Sequence, residues 1–165
     1  MQTVRYKNLN LSNDEFLLDM GCGEGRHSIG AYIETQANIL GLDLSMKDLK
    51  IAQKRLNDFD TSNIKSVCQF GEADIVSIPL LDSSLDAVIC SEVLEHVNSP
   101  QESIKELIRV LKPGGVLALS VPRFMPELIC WKLSKEYSKT PGGHVRIFKH
   151  KQLKKLGINN GLEYQ

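Results

Sequence analysis

Three glycines set two residues apart, Gly21, Gly23 and Gly25 in LDMGCGEGR, stand directly after a short apolar run and directly before a helix-like one. Backbone without side chains can pass close under a ligand there, and the first amides of the following helix suit an anionic group. About 20 residues further on, Asp43 closes a second apolar run, the position from which a carboxylate accepts both hydroxyls of a ribose. Turn and acid together define an adenosine-type site. The dinucleotide pattern G-x-G-x-x-G needs a glycine sixth, and here the sixth residue is Arg26, which favours a single nucleoside with an amino acid tail over NAD.

A second group of residues bears on proton transfer. His96 follows Leu94 and Glu95 and is a candidate general base; its plainer role is to orient the loop it sits in. His144 and Arg146 lie two apart in TPGGHVRIF, His144 as a second candidate base and Arg146 as a planar fork for a substrate carboxylate or an ordinary ion pair. Phe124, Met125, Trp131 and Tyr137 offer the wall of an apolar pocket, although such residues more often pack in a core. The cysteines Cys22, Cys68, Cys90 and Cys130 form no CxxC pair, so no zinc or redox motif is read from them, and no metal ligands are assigned.

The elements that must position these groups alternate in type. Glu15 to Met20 reads as a buried strand, and a helix follows over Arg26 to Gln36. Asn38 to Leu42 is a second strand ending on Asp43 and Leu44, and Ser45 is the N-cap of a helix from Met46 to about Asn57. Ser66 to Phe70 and Leu85 to Cys90 are predicted as the third and fourth strands. A helix over Gln101 to Leu111 is expected to stop at Lys112, Pro113, Gly114 and Gly115, and Val116 to Val121 is the fifth strand. Further helices are expected near Glu127 to Lys135 and Lys149 to Leu156. Such alternation predicts βαβ crossovers and a doubly wound, mainly parallel α/β sheet covered on both faces.

The chain has 165 residues, 42% of them apolar, which suits one domain over 1–165. Twenty basic and twenty acidic side chains cancel, so there is no global field to hold a nucleic acid. No apolar run approaches the roughly 18 residues of a membrane span. A cytoplasmic location is expected from the free thiols and the lack of an apolar signal core.

The blocks LDMGCGEGRHS, GLDLS, GEADIVSIPLLDSSLDAVICSEVLEHV and LKPGG, in that order, resemble the signature series of class I S-adenosylmethionine (SAM) dependent methyltransferases. SEVLEHV and KPGG are most similar to the small-molecule branch (methyltransferase type 11) that includes ubiquinone and menaquinone biosynthesis enzymes. The resemblance implies a Rossmann-like sheet of order 3-2-1-4-5, SAM as cofactor and S-adenosylhomocysteine as product. It places Asp19, Gly21, Cys22, Gly23 and Gly25 near the methionine moiety, Asp43 on the ribose and Leu44 beside the adenine. Ala73 and Asp74 would read the adenine edge, Ile75 would belong to the same cofactor site, and Ser91 would lie beneath the cofactor. CSEV at the end of the fourth strand differs from the Asn/Asp-Pro-Pro-aromatic pattern of enzymes acting on nucleic-acid amines, so a small-molecule acceptor is expected.

Relative to that family, strands six and seven have no residues to form them. The chain therefore reads as C-terminally truncated, with its fifth strand an exposed edge that favours a homodimer. Two other functions remain open from the sequence: a SAM-binding domain without catalysis that acts through protein interaction, and an NAD-dependent oxidoreductase.

Overall fold

The computed structural model describes residues 3–122, 124 and 143–164. Five strands form one parallel sheet: β1 (Phe16–Met20), β2 (Asn38–Asp43), β3 (Cys68–Glu72), β4 (Leu85–Ser91) and β5 (Leu111–Ser120), in the order β3-β2-β1-β4-β5. Among the described residues, the helices are α1 (Arg26–Thr35), α2 (Met46–Leu56), α3 (Pro100–Val110) and α4 (His150–Ile158), and a 3-10 turn covers Tyr6–Leu9. The architecture is the doubly wound α/β sheet that the sequence pattern predicts.

Side chains alternate across a strand, so a run buried on both sides must be apolar at every position. Leu17 and Leu18 show this directly. Leu17 joins Ile39, Ala87 and Ile89 under Tyr6, Ala31 and Tyr32 on one face. Leu18 joins Leu42, Val88 and Cys90 under Ile104, Leu107 and Val110 on the other. Both faces of the central strands are thereby sealed, and chemistry is left to the strand ends. No helix among the described residues is long and apolar enough to cross a membrane.

Two boundaries differ from the sequence reading. Third-strand pairing runs from Ile39 opposite Cys68 to Asp43 opposite Glu72. Its register is set by β2, two residues later than the weak alternation of Ser66 to Phe70 suggests. Lys112 to Gly115 do not separate α3 from β5 but lie within β5. Leu85 pairs with Leu111 and Ala87 with Val116, so the intervening residues bulge out of the ladder, with Gly114 at φ +80°. A bulge tolerates the proline, which cannot donate to a ladder. Lys112 Nζ holds it to β4 through Asp86 Oδ1 at 2.7 Å. The helix expected over Glu127 to Lys135 lies outside the described residues.

Candidate functional site

The C-terminal ends of β1, β2 and β4 meet at one rim, the usual place for a ligand in an open α/β sheet. At the end of β1 the chain turns through Gly21, Gly23 and Gly25 at φ +75°, +51° and +80°. Amides of Gly21 and Cys22 both donate to the Leu42 carbonyl, at 2.7 and 3.0 Å, which clamps the turn to β2. A Cβ on Gly21 would lie 2.2 Å from Val93 Cγ2, whereas one on Gly23 would meet nothing within 4 Å. Gly21 therefore serves packing, and Gly23 faces open space. Gly25 is the N-cap of α1 and brings no side-chain cap to its first amides.

Gly21→Ala is expected to destabilise the protein by roughly 2–4 kcal/mol, from the left-handed backbone and the overpacking against Val93. Denaturant unfolding with an unchanged midpoint would contradict this.

Asp43 closes β2 with its carboxylate braced on both sides. Oδ2 accepts from the Gly23 amide and Oδ1 from the Ser45 amide, each at 2.8 Å. Each oxygen retains a further lone pair for a ligand hydroxyl. Ser45 also caps α2, its hydroxyl accepting from the Asp48 amide at 3.3 Å. Leu44, between them, is 62% exposed.

The third stretch divides. The Ala73 amide donates to the Asp43 carbonyl at 3.1 Å, so it anchors the loop to β2. Asp74 is exposed, and its Oδ1 accepts from the Val76 amide at 3.1 Å. Ile75 is buried in the core with Ile78 and Leu94, so its side chain serves packing.

Asp19 is buried at the end of β1 and accepts a 2.6 Å hydrogen bond from the Ser28 hydroxyl of α1. Its carboxylate thus braces the helix behind the turn instead of opening onto the rim. Burial pushes the Asp19 carboxyl from 3.8 up to about 6, with the Ser28 hydrogen bond and the Arg26 charge pulling partly back. Cys22 is buried too, and burial followed by the nearby Asp19 and Asp43 charges raises its thiol well above the usual range, which keeps it un-ionised.

Ser91 ends β4 in a chain of hydroxyls that the sequence reading did not identify. Its Oγ lies 2.8 Å from Thr3 Oγ1 and 2.7 Å from Ser120 Oγ. Thr3 Oγ1 reaches His27 Nε2 at 2.8 Å, and Tyr6 Oη reaches His27 Nδ1 at 3.0 Å. Burial lowers His27 from 6.5 to about 4, the Arg26 charge adding to the effect, so its ring is neutral. The N-terminal segment is thereby tied to the rim over a gap of 88 residues, which no local pattern signals. Glu92 follows in the left-handed region at φ +59°, its amide held by the Ser120 carbonyl at 2.9 Å.

His96 and His144, far apart in sequence, come together with ring centroids 4.6 Å apart. Arg146 directs Nη2 to the Asn98 carbonyl at 2.8 Å and lies over the Phe148 ring. Phe124 lies under the Lys149 ammonium at 5.2 Å. Met125, Trp131 and Tyr137 fall outside the described residues.

Known proteins resemble this chain in sequence and in fold. A demethylmenaquinone methyltransferase of Lactobacillus johnsonii is 29% identical over 154 residues, covering 88% of this chain and 62% of its own. A ubiquinone biosynthesis O-methyltransferase of Dechloromonas aromatica is 36% identical over 111 residues, covering 67% and 46%. The chain thus spans less than two thirds of the length of either curated relative. A crystal structure of a SAM-dependent methyltransferase from Methanosarcina mazei superposes with a TM-score of 0.76 at 22% identity, covering 97% of this chain and 85% of that one, which shows the fold. Residues 18–119, from the buried core of β1 through the glycine turn and Asp43 to β5, match the family model described as a methyltransferase domain, and the chain belongs to that family.

Proposed function

We propose that the chain binds SAM at the rim of β1, β2 and β4 and transfers its methyl group to a small-molecule acceptor. The observation that carries this reading is the Asp43 carboxylate, fixed by the Gly23 and Ser45 amides beside a glycine turn. A ribose diol needs paired acceptors, and this carboxylate is held still to offer them. The open space over Gly23 leaves room for the ligand, and the start of α1, where the N-cap Gly25 brings no capping side chain, suits its anionic tail.

When bound, SAM supplies an electrophilic methyl group on a sulfonium. The chain's own residues then have two tasks, to hold the reactants in line and to exclude water. Asp43 orients the sugar, and Leu44 offers apolar surface to the base. Asp74 offers an exposed carboxylate suited to the adenine amine. Asp19 acts at one remove, through Ser28 and α1. His96 and His144 are the groups near the rim able to take a proton from an acceptor. A small-molecule acceptor is supported by the zero net charge and by relatives named for quinone substrates.

Calorimetric titration with S-adenosylhomocysteine tests the cofactor half, with micromolar binding expected and no comparable heat from NADH. Labelled SAM incubated with a metabolite extract tests the transfer half. No saturable binding of the homocysteine product below millimolar concentration would overturn the reading.

A further inference from the structure

Glu95, His96 and His144 each place one ligand-capable atom within 4.8 Å of the other two. Glu95 is 1% exposed, and a carboxylate taken so far from water needs positive charge or strong donors around it. Two imidazoles stand against it. They reach it because residues 143–146 return to the turn after β4. The Val145 amide donates to the Glu95 carbonyl at 2.8 Å, and Arg146 Nη2 donates to the Asn98 carbonyl at 2.8 Å. His96 Nδ1 lies 3.3 Å from the Gly143 carbonyl. A carbonyl only accepts, so Nδ1 is the donor of that contact and Nε2 is the nitrogen left to ligate. One ring nitrogen fixed by a backbone carbonyl while the other ligates is the usual arrangement of a metal-binding histidine.

The geometry points to a divalent-cation site formed by Glu95, His96 and His144, suited to a first-row transition ion of the zinc class. Two imidazoles and one carboxylate are borderline ligands, matching zinc, cobalt, iron or manganese better than the all-oxygen shells of magnesium or calcium. Donors around a tetrahedral ion with bonds of about 2 Å stand about 3.3 Å apart. The three donor atoms, within 4.8 Å of one another, therefore close by at most about 1.5 Å on binding, within the reach of side-chain torsional shifts. Three protein donors leave at least one position for water or another oxygen.

The location gives that open position a use. Val93, two residues before Glu95, packs against Gly21, so the turn that carries Glu95 and His96 abuts the glycine turn. There the ion can receive an oxygen of the methyl acceptor and lower its proton affinity, replacing His96 and His144 as bases because their lone pairs are then held by the ion; that role rests on the methyl-transfer reading, whereas the ion site itself does not.

Cobalt(II) alone is the probe, titrated into the full chain after dialysis against a chelator. One equivalent is expected to bind at micromolar or lower concentration, with the visible absorption of a site having fewer than six ligands. His144→Ala and Glu95→Gln are each expected to weaken binding at least tenfold. His150→Ala, which removes an exposed histidine against Tyr164, should change nothing. Loss of the buried Glu95 charge can perturb folding, so circular dichroism and binding of S-adenosylhomocysteine accompany every variant. His144, carried on the returning segment, then decides the matter if Glu95→Gln does not fold. No cobalt uptake, or uptake equally tight in folded His144→Ala, overturns the proposal and leaves a hydrogen-bonded cluster in its place. Cobalt binding without S-adenosylhomocysteine binding retains the ion site and removes the methyl-transfer reading; the reverse outcome does the opposite.

Discussion

Asp43→Ala should lower affinity for S-adenosylhomocysteine at least a hundredfold while the protein remains folded. A hydrogen bond to a charged acceptor contributes about 1.5–3 kcal/mol, and two ribose hydroxyls make two of them. Losing both amounts to about 3 kcal/mol or more, which is a factor of one hundred and upward in the dissociation constant. The substitution also releases the Gly23 amide, so the turn loses the bond that fixes its height above the rim. Asp43→Asn separates the two contributions. Its amide oxygen can still accept from one backbone donor, but its NH2 cannot accept from either a hydroxyl or the second amide. Asparagine is therefore expected to recover part of the stability and little of the affinity. Calorimetry on both variants checks this, and an Asp43→Ala protein that binds within threefold of the parent sinks the assignment of the ribose to this carboxylate.

How much was legible in the sequence follows from the range of the forces involved. The glycine turn, Asp43 and the Ser45 cap lie within stretches of a few residues whose types already encode their backbone. The spacing from Gly23 to Asp43 is one βα unit, so the two could be paired before any fold was known. Strands β1, β2 and β4 are sealed on both faces and announce themselves as short apolar runs, broken inside only by Asp19 and Asp86. Edge positions were harder. Strand β3 is partly exposed and takes its register from its neighbour, and the Lys112 to Gly115 bulge depends on how β5 pairs with β4. The cluster of Glu95, His96 and His144 depends on a segment returning over 47 residues, from His96 to Gly143, to a turn whose own sequence does not name its partner. Thr3 against Ser91 is the same case at greater range. The resemblance puts Ile75 in the cofactor site, whereas its burial with Ile78 and Leu94 gives its side chain a packing role that spacing alone could not distinguish.

Asp19→Asn should stabilise the protein at pH 7 by roughly 2–3 kcal/mol, an unusual direction for a buried polar substitution. The folded carboxyl titrates at about 6 against 3.8 in its ordinary state, because burial penalises the charge more than Ser28 and Arg26 repay it. Below pH 3.8 both folded and unfolded chains are protonated and the carboxyl costs nothing. Between 3.8 and 6 the unfolded chain releases its proton first, so stability falls as pH rises, and above 6 the full penalty is present. His27 works in the opposite sense. Held neutral in the fold down to about 4, it costs stability as pH drops from 6.5 and the unfolded chain takes up a proton the folded one refuses. Across pH 4–6 the two slopes oppose each other, each amounting to at most one proton. Removing Asp19 uncovers the His27 slope, so the advantage of Asp19→Asn grows from near zero at pH 4 to its full value at pH 7. Denaturant unfolding of both proteins at several pH values reads this difference directly, and a gap independent of pH would show that Asp19 is not the charged group responsible. Asparagine keeps an acceptor for the Ser28 hydroxyl but withdraws the negative charge behind the glycine turn. Cofactor affinity is expected to fall in the same variant, which is the trade that retains a costly buried acid at this position.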